Sequence, residues 1–188
     1  EYQRAEDWGS QNEVLRKLFG FEGIADFRVT KELLEFLESC SCEVRHGMPN
    51  KMIYTIEALT SNYFHYGWEG EEQAELGKTC CQVGFNIAYD GFVKIDNYDA
   101  ALHGLSILKL CHGKGFQSKN SELEKEAMRQ FDRLLETLVR PESPELMDAH
   151  KFVTFMKDEW LKEVGNLTLP IYPPEIREVV EANEARVK

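Results

Sequence analysis

Positive charge is in short supply in this chain. Its 22 Lys and Arg face 33 Asp and Glu, a formal net charge of −11 over 188 residues. The summed field repels nucleic-acid phosphates and anionic lipid surfaces, so neither nucleic acid nor membrane is expected as a partner. No apolar run approaches the roughly 18 to 20 residues that cross a bilayer, and Glu1 to Gln11 is too polar for a signal peptide. Cysteine is sparse as well: Cys40, Cys42, Cys80, Cys81 and Cys111 are odd in number and lack the regular spacing of a disulfide framework. They read as free thiols in a reducing, cytoplasmic setting. Period-two alternation with β-branched residues is scarce, which removes the main sign of a sheet.

The usual chemical signatures are missing too. There is no dinucleotide fingerprint and no Gly-x-Ser-x-Gly elbow. His112-Gly113-Lys114-Gly115 follows a helical pattern, whereas phosphate loops precede a helix and use its N-terminal amides, so this stretch is expected to end the helix and begin a loop. Cys40-Ser41-Cys42 with His46 has no second element at zinc-site spacing. Glu43-Val44-Arg45-His46 spells the Glu-x-x-His of di-iron bundles once, and those sites need it twice. Asp90 to Asp99 lacks the register of a calcium loop, which leaves Asp96, Asn97 and Asp99 as capping residues. Ser106-Ile107-Leu108-Lys109 and Ser118-Lys119-Asn120 match two of three motifs of penicillin-recognising enzymes, but the late Lys-Thr-Gly is absent. No metal and no cofactor are expected.

What is present is helical periodicity. Ser10-Gln11-Asn12-Glu13 has capping-box form ahead of Val14, Leu15, Leu18 and Phe19; Thr30 can open a second helix through Leu37, and a break is expected from Ser39 to Pro49. Pro49 suits the first turn of a third helix carrying Met52, Ile53, Ile56, Leu59 and Tyr63 on one stripe. From Glu71 to about Phe92 apolar residues fall on several faces, the mark of a buried central helix, with Gly77 and Gly84 leaving room for close neighbours. Asp96 or Asn97 can cap the next helix, and Ser121 to Leu138 is the cleanest amphipathic pattern in the chain. Ser143-Pro144 opens another helix; Pro170 to Pro174 makes an extended strap before a last one at Glu175 to Val187.

The expected fold is therefore all-α: one domain over residues 1–188 of about seven or eight antiparallel helices, either compact or stacked as solenoid-like hairpins of HEAT, armadillo or TPR type. Asn97-Tyr98-Asp99-Ala100-Ala101-Leu102 resembles the start of the second helix of a tetratricopeptide repeat, over one period of about 34 residues. The pattern does not recur, and Leu108 occupies the place of a small residue, so the likeness is to helical hairpins in general. A TetR-like regulator fits the length, but no basic helix-turn-helix is recognisable. The chain begins at Glu1 rather than Met and is expected to be a piece of a longer helical-repeat protein.

The densest aromatic stretch is Tyr63-Phe64-His65-Tyr66-Gly67-Trp68. So many rings at one helix end cannot all face one core, which makes Tyr63, Phe64, His65, Tyr66 and Trp68 the candidate contact surface. The expected function is a non-catalytic intracellular adaptor or protein-interaction module. Its acidic exterior favours a protein partner with a basic surface, and self-association into a homo-oligomer is the other assembly. The competing reading is an all-α enzyme or ligand-binding protein using His65, His103, His150 and nearby carboxylates as acid/base groups.

Overall fold

The computed structural model describes residues 34–46, 71–117, 119, 121–163 and 168–187. Among these there are six α-helices and no strand. They are α1 (Cys42–His46), α2 (Glu71–Tyr89), α3 (Tyr98–Gln117), α4 (Ser121–Leu138), α5 (Pro144–Trp160) and α6 (Pro174–Val187), with a π-helical turn at Asp90–Lys94 running on from α2. Residues 34–39 are also helical and bury Leu34 and Leu37. The expected first helix, the third helix and the Tyr63 to Trp68 stretch lie outside the described residues. No described helix is long and apolar enough to cross a membrane.

Helices α2, α3 and α4 pack against one another, and α5 and α6 close over them. The seam between α2 and α3 is antiparallel and made of small residues. A Cβ placed on Gly104 would lie 2.4 Å from the Ala88 amide nitrogen and the Gly84 carbonyl oxygen. One placed on Gly91 would lie 2.7 Å from Ala101 backbone atoms. Any side chain there would meet backbone rather than a movable group, so glycine is what lets the two helices approach this closely. The rest of α2 is buried on several sides, by Leu76, Cys80, Cys81, Val83, Ile87 and Ala88 among others, in keeping with a central helix.

Local capping chemistry sets several boundaries. Asn97 caps α3: its side-chain oxygen accepts from the Ala100 amide at 3.1 Å. Asp96 takes the left-handed backbone position before it, at φ 46°. Ser143 caps α5, its hydroxyl accepting from the Leu146 amide, and Pro144 fills the first helical position, whose missing N–H is no loss.

Two boundaries differ from the sequence reading. The break expected from Ser39 to Pro49 contains the short helix α1. The helix expected to stop near Cys111 runs through Gly113 and Gly115 to Gln117. Each interior glycine costs about 1 kcal/mol of helix propensity. Continuing the helix buries Cys111 and His112 and brings the His112 ring against Glu124 of α4, 3.7 Å away, which offsets that cost.

An aromatic cluster joins the π turn to the C-terminal elements. Phe92 and Tyr98 meet edge to face at 5.1 Å, Tyr98 meets Phe152 at 5.1 Å, and Tyr172 packs against Phe152 and Phe155 at 5.8 and 6.0 Å. Asn183 of α6 accepts from the Tyr98 amide at 3.0 Å and donates to the Asp96 carbonyl at 2.8 Å, while Arg186 pairs with the Asp96 carboxylate. The last helix is thus pinned to the turn that precedes α3.

Candidate functional site

Where α2 gives way to the π turn, the chain carries a buried carboxylate. Widening one helical turn shifts the register of the side chains that follow, which is why such turns often mark working sites. Asp90, 1% exposed, receives the Arg45 guanidinium on one oxygen and Lys94 Nζ on the other, the latter at 2.9 Å. Arg45 in turn donates to the Leu37 carbonyl at 2.9 Å and to the Cys40 carbonyl at 2.7 Å. One guanidinium therefore ties residues 37–45 to the π turn. A charge pair removed from water needs this degree of satisfaction to persist.

Around this latch lies an open cleft of about 640 Å3, lined by the turn at Cys40–Arg45, by Asn86 and Tyr89 of α2, by Lys94, and by Arg133 and Thr137 of α4. Its wall holds two stacked rings, Phe85 and Tyr89, with centroids 5.8 Å apart. Each ring carries a cation: the Arg133 guanidinium sits 4.0 Å from the centre of Phe85, and Lys94 Nζ sits 5.8 Å from that of Tyr89. The hydrogen bond to Asp90 raises the Lys94 pKa, so the amine stays charged.

The cleft thiols are held as thiols. Burial pushes the Cys40 pKa up, with Arg45 opposing, and burial followed by the Asp90 charge pushes Cys42 up. Nucleophilic cysteines need the reverse shift. Glu43 is held below the usual carboxylate range by its own backbone amide and then by the Ser41 hydroxyl.

Other residues singled out in the sequence fall elsewhere. All five cysteines are free; Cys80, Cys81 and Cys111 lie in the core. Tyr63, Phe64, His65, Tyr66 and Trp68 lie outside the described residues, and neither His103 nor His150 lines the cleft. Among the described residues no three His, Cys, Asp or Glu side chains group to hold a metal. Lys109, matched by its spacing to a catalytic motif, is 1% exposed and donates to the Trp160 and Glu163 carbonyls, at 2.6 Å for the second. It supplies donors to carbonyls left open at the end of α5. Asp90, Arg45 and Arg133 were not foreseen as a group. No family model matches the chain, and no curated protein or solved structure matches it.

Proposed function

We propose that this chain is a non-catalytic protein-docking module that offers the strap between α5 and α6 to a partner. Three prolines, Pro170, Pro173 and Pro174, fix their own φ angles, and each biases the residue before it toward extended backbone. The strap is held at both ends. Trp160 Nε1 donates to the Thr168 carbonyl at 3.1 Å, and Tyr172 sits on Phe152 and Phe155. Between these anchors Ile171 is 91% exposed and Leu169 51% exposed.

This outward apolar edge on a pre-ordered backbone is the observation that carries the reading. Large aliphatic side chains held in water cost free energy that a partner recovers by covering them, and a strap already extended loses little entropy on binding. Next to it, α6 exposes Glu175, Glu178, Glu181 and Glu184. A partner with an apolar slot and a basic rim complements both features. The Tyr63 to Trp68 stretch is a second contact under the same proposal.

The charged groups of the described core support a binding role over a catalytic one. Arg45, Asp90 and Lys109 are consumed in holding elements together, and the cleft thiols are protonated. The test is the double variant Leu169→Ser/Ile171→Ser, used to retain proteins from an extract of the chain's own organism. The expected result is loss of a protein that the unaltered chain retains, with stability changed by less than about 0.5 kcal/mol, as for other exposed positions. Identical retention by both chains would overturn the reading.

A further inference from the structure

We infer that the cleft beside the π turn is a binding site for peptide carboxylates, a further contact that takes the docking reading as its setting but uses different residues. Most polar groups of the cleft are already committed, and those that are not are donors. The main acceptors are engaged: Asp90 has a cation on each oxygen, the Asn86 side-chain oxygen accepts from Gln82 at 2.8 Å, and the Glu43 carboxylate accepts from its own backbone amide and the Ser41 hydroxyl. The donors are not. Arg133 uses only Nη1, toward Gln82 and Gln130 at 3.2 and 3.4 Å, so among the described residues Nε and Nη2 have no acceptor. Lys94 Nζ pairs with Asp90, its one carboxylate among the described residues, which leaves two N–H groups there without an acceptor.

An open cleft with donors to spare and acceptors spent selects an acceptor-rich ligand. The Arg133 guanidinium carbon sits over the Phe85 ring, and its Nε–Nη2 edge, without an acceptor among the described residues, is the fork that takes both oxygens of one carboxylate. Lys94 is the second positive point, carried on the next ring of the stack. Arg45 adds charge from behind but no reach, because its donors are committed to carbonyls and to Asp90. Arg45, Lys94 and Arg133 outnumber Glu43 and Asp90 by one, so the cleft is locally positive on a chain whose net charge is −11.

That contrast identifies the ligand further. The chain as a whole repels a diffuse polyanion, so an acidic segment binds only by reaching this spot at short range. A peptide with carboxylates on alternate residues spans such a wall, since side chains two residues apart on an extended chain share one face. A monocarboxylate offers one acceptor group to a wall that carries two cations.

The experiment is fluorescence anisotropy on the full chain, with a labelled hexapeptide of alternating Glu and Gly and a matched peptide of Gln and Gly. The Glu peptide is expected to bind at least about ten-fold more tightly than the Gln peptide and to weaken as salt is raised. Arg133→Gln should abolish the difference, and Arg133→Lys, which keeps the charge but not the fork, should recover only part of it. Lys94→Gln should weaken binding several-fold. Arg129→Gln, an exposed cation on the same helix outside the cleft, should leave binding unchanged. Equal binding of the two peptides, equal loss with Arg129→Gln, or displacement by succinate at the same concentration as by unlabelled peptide would each overturn the inference. The last outcome would mark a small-dicarboxylate site. Because these peptides do not report on Leu169 and Ile171, failure here leaves the strap proposal to its own test.

Discussion

The seam between α2 and α3 and the latch between Arg45 and Asp90 hold neighbouring parts of the molecule by opposite means. Along the seam Gly84, Ala88 and Gly91 face Ala101, Gly104 and Leu108, with almost no polar side-chain atoms to satisfy and no spare volume. Its tolerance is set by size. At the latch a buried charge pair is saturated by carbonyls and by a second cation, beside an open cleft. Its tolerance is set by charge and by unmet hydrogen bonds. The tight seam sets the spacing of α2 and α3, and the latch holds residues 37–45 against the π turn that follows α2.

The largest effect is expected at the latch. Asp90→Asn leaves the Arg45 guanidinium buried without its counter-charge and should cost about 3–5 kcal/mol in chemical denaturation. Replacing both partners, as Arg45→Met with Asp90→Leu, should recover most of that loss, because no buried charge is then left unpaired and Lys94, which loses its carboxylate, is half-exposed to water. A double variant as unstable as Asp90→Asn would mean that packing rather than charge governs this region too, and the contrast with the seam would collapse.

At the seam the sharpest probe is a single methyl group. Gly104→Ala improves helix propensity by about 1 kcal/mol but forces a Cβ against the Ala88 amide and the Gly84 carbonyl. Overpacking against backbone should win, for a net loss of about 2 kcal/mol in the denaturation midpoint analysis. A neutral or stabilising result would show that α2 and α3 can separate without penalty.

The same contrast explains what could be read from sequence. The Ser143-Pro144 start, the Asn97 cap and the amphipathic face of α4 were legible because each signal is complete within a turn or two of helix. The seam was half legible: Gly84 announced a close neighbour, though not which one. The latch was invisible, since Arg45 and Asp90 lie 45 residues apart and nothing local distinguishes Asp90 from a spare surface carboxylate. The role of Lys109 was invisible for the same reason, its partners lying 51 and 54 residues away. The end of α3 was misplaced because the glycines at 113 and 115 carry a local stop signal that burial of Cys111 and His112 overrides.

His112 is where the two regimes meet, a polar ring set into the apolar end of α3, and it gives the smallest expected effect. Its Nδ1 is buried without a hydrogen-bond partner among the described residues, and its Nε2 faces Glu124. Burial lowers its pKa below the ordinary 6.5; Glu124 opposes the shift and Lys109 adds to it. The folded state therefore binds this proton less readily than the unfolded chain does. Stability from this residue is full above about pH 6.5 and falls as the pH drops below that value toward the depressed folded pKa. Titrating the melting temperature of the unaltered chain and of His112→Leu from about pH 7 to about pH 5 should show the unaltered chain losing the more, since only it must keep a neutral imidazole buried in acid. Parallel curves would mean that Glu124 stabilises the charged ring as fully as water does, and that this end of the hairpin is governed by charge, as the latch is, rather than by volume.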